Sequence, residues 1–384
     1  VERWRVAGHD VRVLTSRLRV PGVRTPPGET GVARALRIYF RDGDLHVPPV
    51  PVRLAWEWAN QRALRRALRD FCPDVVSVWH MGAMSMGLLT TLVRSGARLV
   101  YVVCDDWLIY GRDLDGWARL FPAHPRLARL APAFDRLLGV PCSLPADLGA
   151  SGRFLFVSDV VRTRSAAMTP WDFPDSDVVG SGIDTGDFPI PEEPPPPRPW
   201  AWRLLYVGRL DPRKGIATLL RALALLPAEA TLSVVGDGPP AYRARLVALA
   251  DELGCAGRVR FTVLPRSALR DAYQEADALV FPSEWEEPFG LVPLEAMACA
   301  TPVVATRTGG AAEFLDDGGN CLAVPPGDAA ALAAALVRLA DDPALRARLV
   351  AGGVATAARF TTDRLAAVIG AHLFAAASAP GGRP

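Results

Sequence analysis

Arg203 to Gly215 reads RLLYVGRLDPRKG: a short apolar run, a glycine, and a loop with three cations ahead of an amphipathic stretch that starts at Ile216. An apolar run this short, closed by a turn residue, has the pattern of a parallel strand buried on both faces. The stretch after it repeats at helical spacing, so the segment reads as strand, loop and helix. Such a loop lies at the carboxyl edge of a sheet, where open α/β folds bind ligands. The chain has 43 basic residues, of which Lys214 is the sole lysine. A basic loop is ordinarily a solvated one. A compact ammonium with rotatable donors also suits a phosphate held in a tight loop, where a planar guanidinium fork does not fit.

The same rhythm continues downstream. TLSVVGDG, RVRFTVL, ALVFPS, TPVVAT and NCLAVPP read as strands, with helices expected over 215–226, 241–253 and 267–275 and a short one from Pro293. Alanine-rich amphipathic helices follow over 329–339 and 343–358, then the stretch RFTTDRLAAVIGAHLFAAA and a GGRP tail expected to fray. Upstream, VRVLTS, DVVSVW, RLVYVVCD and RFLFVS alternate with helical segments such as 56–71 and 84–95. This alternation implies an α/β chain with two Rossmann-like, doubly wound domains. VERWRVAG at the start reads as a helix capped by Gly8, so the N-terminal domain is expected to lack its first strand.

Ile190 to Trp200, IPEEPPPPRPW, interrupts the pattern, because consecutive prolines continue neither a helix nor a central strand. The expected organisation is an N-terminal domain over 1–188, a Pro-rich linker over 189–200, a C-terminal domain over 201–358, and a last helix over 359–384 crossing back to the first domain. A length of 384 residues fits two domains of ordinary size.

Composition narrows the class. Half the residues are apolar and 22% are charged, a globular balance. The net charge is +2, with arginines interleaved among acids, which leaves no nucleic-acid footprint. No apolar run reaches the ~18 residues of a membrane span. Cysteines 72, 104, 142, 255, 299 and 321 form no CxxC pair and read as buried thiols in a reducing cytoplasm, neither a disulfide frame nor a zinc site. The expected location is therefore cytoplasmic. The arginine-rich stretch NQRALRRALR (60–69) reads first as a solvated helix face, with peripheral contact to anionic lipid on the inner face of the membrane left open.

A second loop answers the first. Glu284 to Ala300 reads EWEEPFGLVPLEAMACA, in which Phe289, Gly290, Leu291 and Val292 lead into Pro293, a residue suited to the first position of a helix. Backbone amides near Gly290 to Val292 then meet the positive end of a helix dipole and favour an anion. Glu295 is expected in the first helical turn and Glu287 in the loop before it. One glutamate there is ordinary dipole compensation. Two carboxylates around an amide-lined anion site need another explanation, and the cations Arg209 and Lys214 would complete a diphosphate site. VVGDGPP (234–240) has two glycines but lacks the third of a dinucleotide fingerprint, so Gly236 reads as part of a tight turn bordering the cleft.

SGID…F (181–188), GRLDPRKG, the VVGDG turn, EPFGLVPLEAMACATPVVAT and GG…E (309–313) together resemble, in order and spacing, the retaining GT-B glycosyltransferases of glycosyltransferase family 4. The likeness covers most of residues 153–360 and is specific in the second domain. It implies a GT-B fold, two Rossmann-like domains facing a cleft, and transfer of a hexose from a nucleoside-diphosphate sugar to a glycan, lipid or small-molecule acceptor. By the same resemblance, Arg209 and Lys214 in the Gly208 loop bind the diphosphate, Glu295 the ribose hydroxyls and Glu287 the donor sugar. The amides from Phe289 through Gly290, Leu291 and Val292 hold phosphate and sugar oxygens, and Leu264, in the segment 263–266, borders the base.

Catalysis would then rest on fixed cations and amides that stabilise the departing diphosphate. No metal or other cofactor is expected, since Arg209, Lys214 and the helix end would supply that charge. The DxD triplets at 42–44, 113–115 and 175–177 end no apolar strand and read as turns. The family's glycine-rich loop after its first strand is not found in this chain, and its N-domain histidine is replaced in YVVCDDWL by Cys104, Asp105 and Asp106. Asp105, Asp106 and His80, at the end of DVVSVW, are therefore the candidate catalytic groups of the first domain. Trp107 and Trp117 read as core residues, with stacking on an acceptor as the alternative. Two further readings stay open: a sugar-nucleotide-binding protein without catalysis, and a phosphorylase or epimerase built on the same fold.

Overall fold

A computed structural model describes residues 1–18, 30–41, 44–196 and 198–378. The chain divides into two compact units, one of Val1–Val179 with the chain from Ala366 onward, the other of Gly180–Leu365.

The first unit opens with helix α1 (Glu2–Val6), whose last cap is Ala7, one residue before the expected Gly8. Strands β1 (Val13–Ser16) and β2 (Val32–Leu36) form a parallel pair, and β3 (Phe40–Arg41) and β4 (Asp44–Leu45) a short antiparallel one. Helix α2 (Val50–Phe71) starts six residues before the periodicity suggested, because Pro51 sits at its first positions, where a missing N–H costs nothing. Strands β5 (Val76–Val78), β6 (Leu99–Val103), β7 (Arg153–Phe156) and β8 (Ser176–Val178) form a parallel sheet in that order. Helix α3 (Gly87–Arg94) joins β5 to β6. Helix α4 (Trp107–Leu114), the short turns α5 (Leu120–Ala123), α6 (Pro125–Ala128) and α7 (Ala131–Ala133), and a π-turn over Phe134–Leu138 separate β6 from β7. Helix α8 (Asp159–Met168) follows β7, capped by the Ser158 hydroxyl, which accepts from the Val161 amide.

Polar groups penetrate this unit's core. Glu57 of α2 is fully buried, and the Tyr39 and Ser85 hydroxyls both donate to it. Asp115 is also fully buried and accepts from the amides of Met86, Trp117 and Ala118. Burial pushes both carboxyls above their ordinary range, and the charge of Asp115 pushes Glu57 further. The 113–115 triplet is thus a helix end and an internal anchor, not a surface turn. Asp177 of the 175–177 triplet lies within β8, where it pairs with Arg153, and Asp42 lies outside the described residues. Trp107 and Trp117 are buried core residues. Four of the six cysteines are buried, but Cys72 and Cys104 are exposed: one caps the end of α2 and the other follows β6 where the sheet ends.

The second unit is a single six-stranded parallel sheet in the order β11-β10-β9-β12-β13-β14, formed by β9 (Arg203–Val207), β10 (Thr231–Val235), β11 (Val259–Thr262), β12 (Ala278–Phe281), β13 (Val303–Thr306) and β14 (Leu322–Val324). Every residue of β12 and β13 is buried, as a parallel strand covered on both faces must be. Helices α9 (Ile216–Ala224), α10 (Pro240–Glu252), α11 (Leu269–Glu275) and α12 (Leu291–Ala298) alternate with the strands, and α13 (Ala329–Asp341) and α14 (Pro343–Ala357) follow. Asp328 and Asp342 cap α13 and α14 by accepting from the Ala331 and Leu345 amides. The strand order reverses between β9 and β12, so the loops after those two strands diverge from one point on the sheet edge. Gly236 at the end of β10 lies so close to β9 that a Cβ would meet the Gly208 carbonyl oxygen at 1.9 Å.

The unit boundary falls earlier than the prolines suggest. Ile183 bridges to Thr361, Phe188 is buried against Tyr273, and Trp200 packs on the second unit's core, so residues 180–200 belong to that unit rather than to the first domain or a free linker. Helix α15 (Thr362–Ser378) starts in the second unit and ends in the first, where the Trp4 indole donates to Ala366 and Arg98 to Ala377. The GGRP tail lies outside the described residues.

Candidate functional site

The loop after β9 tightens into a 3-10 turn, Pro212–Lys214, capped by Asp211, which accepts from the Arg213 amide and holds its guanidinium. That pairing keeps the Asp211 carboxyl low, at about 2. Lys214, next in the turn, sends its ammonium across to the loop after β12, where Nζ lies 2.5 Å from Glu287 Oε1. The Ser283 hydroxyl donates to the same oxygen at 2.8 Å. Glu287 Oε2 takes no hydrogen bond from a described residue, and the carboxylate is nearly buried. The Arg209 carbonyl accepts from the Tyr206 hydroxyl at 2.9 Å, while its side chain is exposed and makes no hydrogen bond or ion pair with a described residue. Trp285 lies beneath both remaining cations of the turn, 4.5 Å from Arg213 and 5.2 Å from Lys214.

Helix α12 begins at Leu291, two residues before the position expected from Pro293, with Gly290 as its cap and no side chain bonded to its end. Proline therefore occupies the third position of the first turn, where its missing N–H is still harmless. The shift moves Glu295 into the second turn. There it is buried, accepting from the Tyr273 hydroxyl at 2.8 Å and from Arg266 at 3.4 Å. Burial raises the Glu295 carboxyl above its ordinary value, and those two partners only partly offset it. Phe289 does not turn toward the loop opening: its ring packs against Phe314 and Phe360. Leu264 is half-buried in the loop after β11.

Residues without an assigned role complete the arrangement. Arg266 bridges Glu295 to Asp187, the latter at 2.6 Å. Gly309 lies against the Glu287 backbone so closely that a Cβ would fall 2.3 Å from the Glu287 carbonyl, and the Gly310 amide donates to that carbonyl at 2.7 Å. The GG pair thus fixes the acidic loop, and glycine's missing side chain is what permits it.

In the first unit, His80 after β5 and Asp105 after β6 come together, with Nδ1 3.2 Å from Oδ2. Asp105 also accepts from the Tyr110 hydroxyl at 2.6 Å and the Trp107 amide at 3.1 Å. Burial works to raise Asp105, but the bonds from His80 and Tyr110 outweigh it and hold the carboxyl below its usual value. His80 is raised by the same bond. Asp106 points elsewhere, to Arg164 at 3.0 Å. Among the described residues, no group of three His, Cys, Asp or Glu side chains is arranged to hold a metal ion.

A family model described as "Glycosyltransferase Family 4" matches residues 1–187, and one described as "Glycosyl transferases group 1" matches residues 201–342. The lipopolysaccharide core biosynthesis glycosyltransferase LpsD of Rhizobium meliloti is 41% identical over 309 residues, 76% of this chain and 72% of that protein. The chain belongs to the family 4 glycosyltransferases. The chain is also 43% identical over 180 residues to the D-inositol 3-phosphate glycosyltransferase of Thermomonospora curvata, and the match spans only 42% of that relative's length. Among solved structures, sucrose-phosphate synthase from Thermosynechococcus elongatus aligns over 98% of this chain and 92% of its own with a TM-score of 0.69 at 23% identity. Anabaena HepE in complex with UDP-glucose aligns over 87% and 86%, with a TM-score of 0.60 at 20% identity. The fold is GT-B, with two Rossmann-like units. No described helix of the chain is long and apolar enough to cross a membrane.

Proposed function

We propose that this glycosyltransferase moves a hexose from a nucleoside-diphosphate sugar to an acceptor hydroxyl with retention of configuration, and that the second unit holds the donor. The observation that carries the reading is the Lys214–Glu287 pair at the point where strand order reverses, beside the uncapped first turn of α12. An ammonium has three donors. One meets Glu287, and two remain for diphosphate oxygens. Arg209 supplies the second cation, and the first-turn amides of Leu291 and Val292, which lack intrahelical acceptors, supply neutral donors. Glu287 Oε2 takes a hydroxyl of the sugar, and Glu295, held by Tyr273 and Arg266, takes the ribose diol.

In the reaction the anomeric carbon–oxygen bond breaks and its electron pair leaves on the diphosphate. The acceptor oxygen bonds to that carbon on the same face, and its proton passes to the departing phosphate oxygen. Lys214, Arg209 and the helix end stabilise the charge that grows there, so the reading requires no metal. In the first unit, His80 and Asp105 are the groups assigned to hydroxyl recognition, and Asp106 is given a structural role by its bond to Arg164. The UDP-glucose complex of HepE supports a sugar nucleotide as the donor class.

The test is mass spectrometry of products from a panel of UDP-, GDP- and ADP-hexoses, with the anomeric configuration read by NMR. Donor turnover that falls at least about 100-fold in Glu287→Ala, a loss of the order expected for a transition-state contact, is the expected result. Tight donor binding with no turnover of any donor would assign a binding protein instead.

A further inference from the structure

The segment between α4 and β7 has two apolar faces. Its inner face is accounted for, since Leu120 and Phe121 are buried and Leu127, Ala128, Ala131 and Phe134 pack on a cluster with Tyr39, Trp117 and Val140. Its outer face is not. Leu130 is 51% exposed, Leu137 79% and Leu138 42%, three leucines within nine residues. Single exposed leucines need no explanation, but a cluster of them does. Arg126, Arg129 and Arg136 are exposed on the same short segment, and none of their guanidinium groups makes a hydrogen bond or ion pair with a described residue. Asp135 is the one acid between Gly116 and Ala146, and Arg94 matches it with two bonds of 2.7 Å. The surface therefore combines uncovered apolar groups with unbalanced positive charge.

We infer that residues 125–138 form a docking surface for an anionic lipid bilayer. Leucines of this kind enter the acyl boundary, while arginine stems lie along apolar surface and place their charge among anionic headgroups. Either signal alone binds membranes weakly, and the two together bind stably. The chemistry selects this segment over the arginine-rich face of α2, because Arg66 and Arg69 there pair with Asp70 and Arg65 donates to the Gly139 carbonyl. The inference is independent of the reaction proposed above.

Co-sedimentation of the full chain with vesicles of phosphatidylcholine, alone or with about 30% phosphatidylglycerol, tests it. Binding to the anionic vesicles is expected to be at least about tenfold stronger than to neutral ones and to weaken with salt. Leu137→Asp with Leu138→Asp, and separately Arg126→Gln with Arg129→Gln and Arg136→Gln, are each expected to reduce it at least about tenfold. Leu225→Asp, at an exposed leucine of the second unit, is expected to leave it unchanged. Circular dichroism checks that the variants fold, and the arginine set decides should the leucine pair not. Absence of binding, equal binding to neutral vesicles, or binding indifferent to both sets would overturn the inference. So would self-association in the ultracentrifuge that the leucine pair abolishes without vesicle binding, which would assign the surface to a second copy.

Discussion

Lys214 Nζ and Glu287 Oε1 stand 2.5 Å apart, joining the loops that follow β9 and β12. The side chains keep only 16% and 7% of their exposure, so the pair is held away from water. It also answers why a chain built on arginine has this one lysine. The turn needs a charge that bonds a carboxylate on one side and still offers donors on another, which a flat guanidinium engaged in a fork does not provide.

The pair should be visible in stability. Removing one partner of a buried ion pair costs about 3–5 kcal/mol because the other charge is left uncompensated. The residual exposure of Lys214 lowers the expectation for Lys214→Ala to about 2–3 kcal/mol. Lys214→Ala with Glu287→Gln should lose less than the sum of the single changes. Urea denaturation of the four proteins measures this, and strictly additive losses would show that the two side chains do not couple.

Nucleotide affinity should depend on pH through Glu295. Its carboxyl is raised above 4.5 by burial, against the opposing bonds from Tyr273 and Arg266. A ribose diol donates to the ionised form, so affinity is expected to fall as pH drops through the raised value. Tyr273→Phe removes a bond that favours the charged form and should move that fall to higher pH. Titrations of UDP at several pH values report it, and an unchanged midpoint in the variant would remove the ribose role.

His80 should titrate above its ordinary 6.5 in the folded protein, because Asp105 favours its charged form. Whatever stability that bond contributes is full below 6.5 and is lost as pH rises through the folded value. Asp105→Asn is expected to lower the His80 titration, followed through its ring protons by NMR. A midpoint indifferent to Asp105 would contradict the 3.2 Å contact.

Glu57 sets a slope of the same sign. Its carboxyl is raised above 4.5 by burial first and by the charge of Asp115 second, and Tyr39 and Ser85 donate to it from the bend before β3 and the loop before α3. Above about 4.5 the unfolded chain releases this proton while the folded one keeps it, so stability falls as pH rises toward the raised value. Glu57→Gln, which keeps the shape and a donor for Ser85, should flatten that slope in denaturation curves taken from about pH 5 to 8. A slope unchanged in the variant would place the proton elsewhere.

The parts of this account readable from sequence are those governed by short-range pattern. Continuous apolar runs gave β6, β9, β12 and β13 to within a residue or two, and the GRLDPRKG and EPFGLVPLE loops marked the two strand ends that meet. Helix starts were less legible, because α12 begins at Leu291, two residues before Pro293, which places Glu295 in the second turn. Tyr273 and Ser283 were missed, and Arg266, although inside the segment 263–266 expected to border the base, was not paired with Glu295, since each acts through a partner brought near by the sheet: Tyr273 is 22 residues and Arg266 29 residues from Glu295, and nothing in either local pattern names that partner. The paired glycines at 309 and 310 were the available signal for a backbone pressed against Glu287. Asp115 misled in the other direction, as an acid in a DLD triplet looks solvated until its three amide donors are seen.

Calorimetric titration of UDP and GDP into the wild-type chain, Lys214→Gln and Lys214→Arg tests the central placement most directly. A diphosphate lodged between this ammonium and the first turn of α12 requires that at least one nucleotide bind the wild type and bind both variants at least about tenfold more weakly, the scale of one charge-assisted bond. Equal affinities in all three proteins, each shown to be folded, would contradict it.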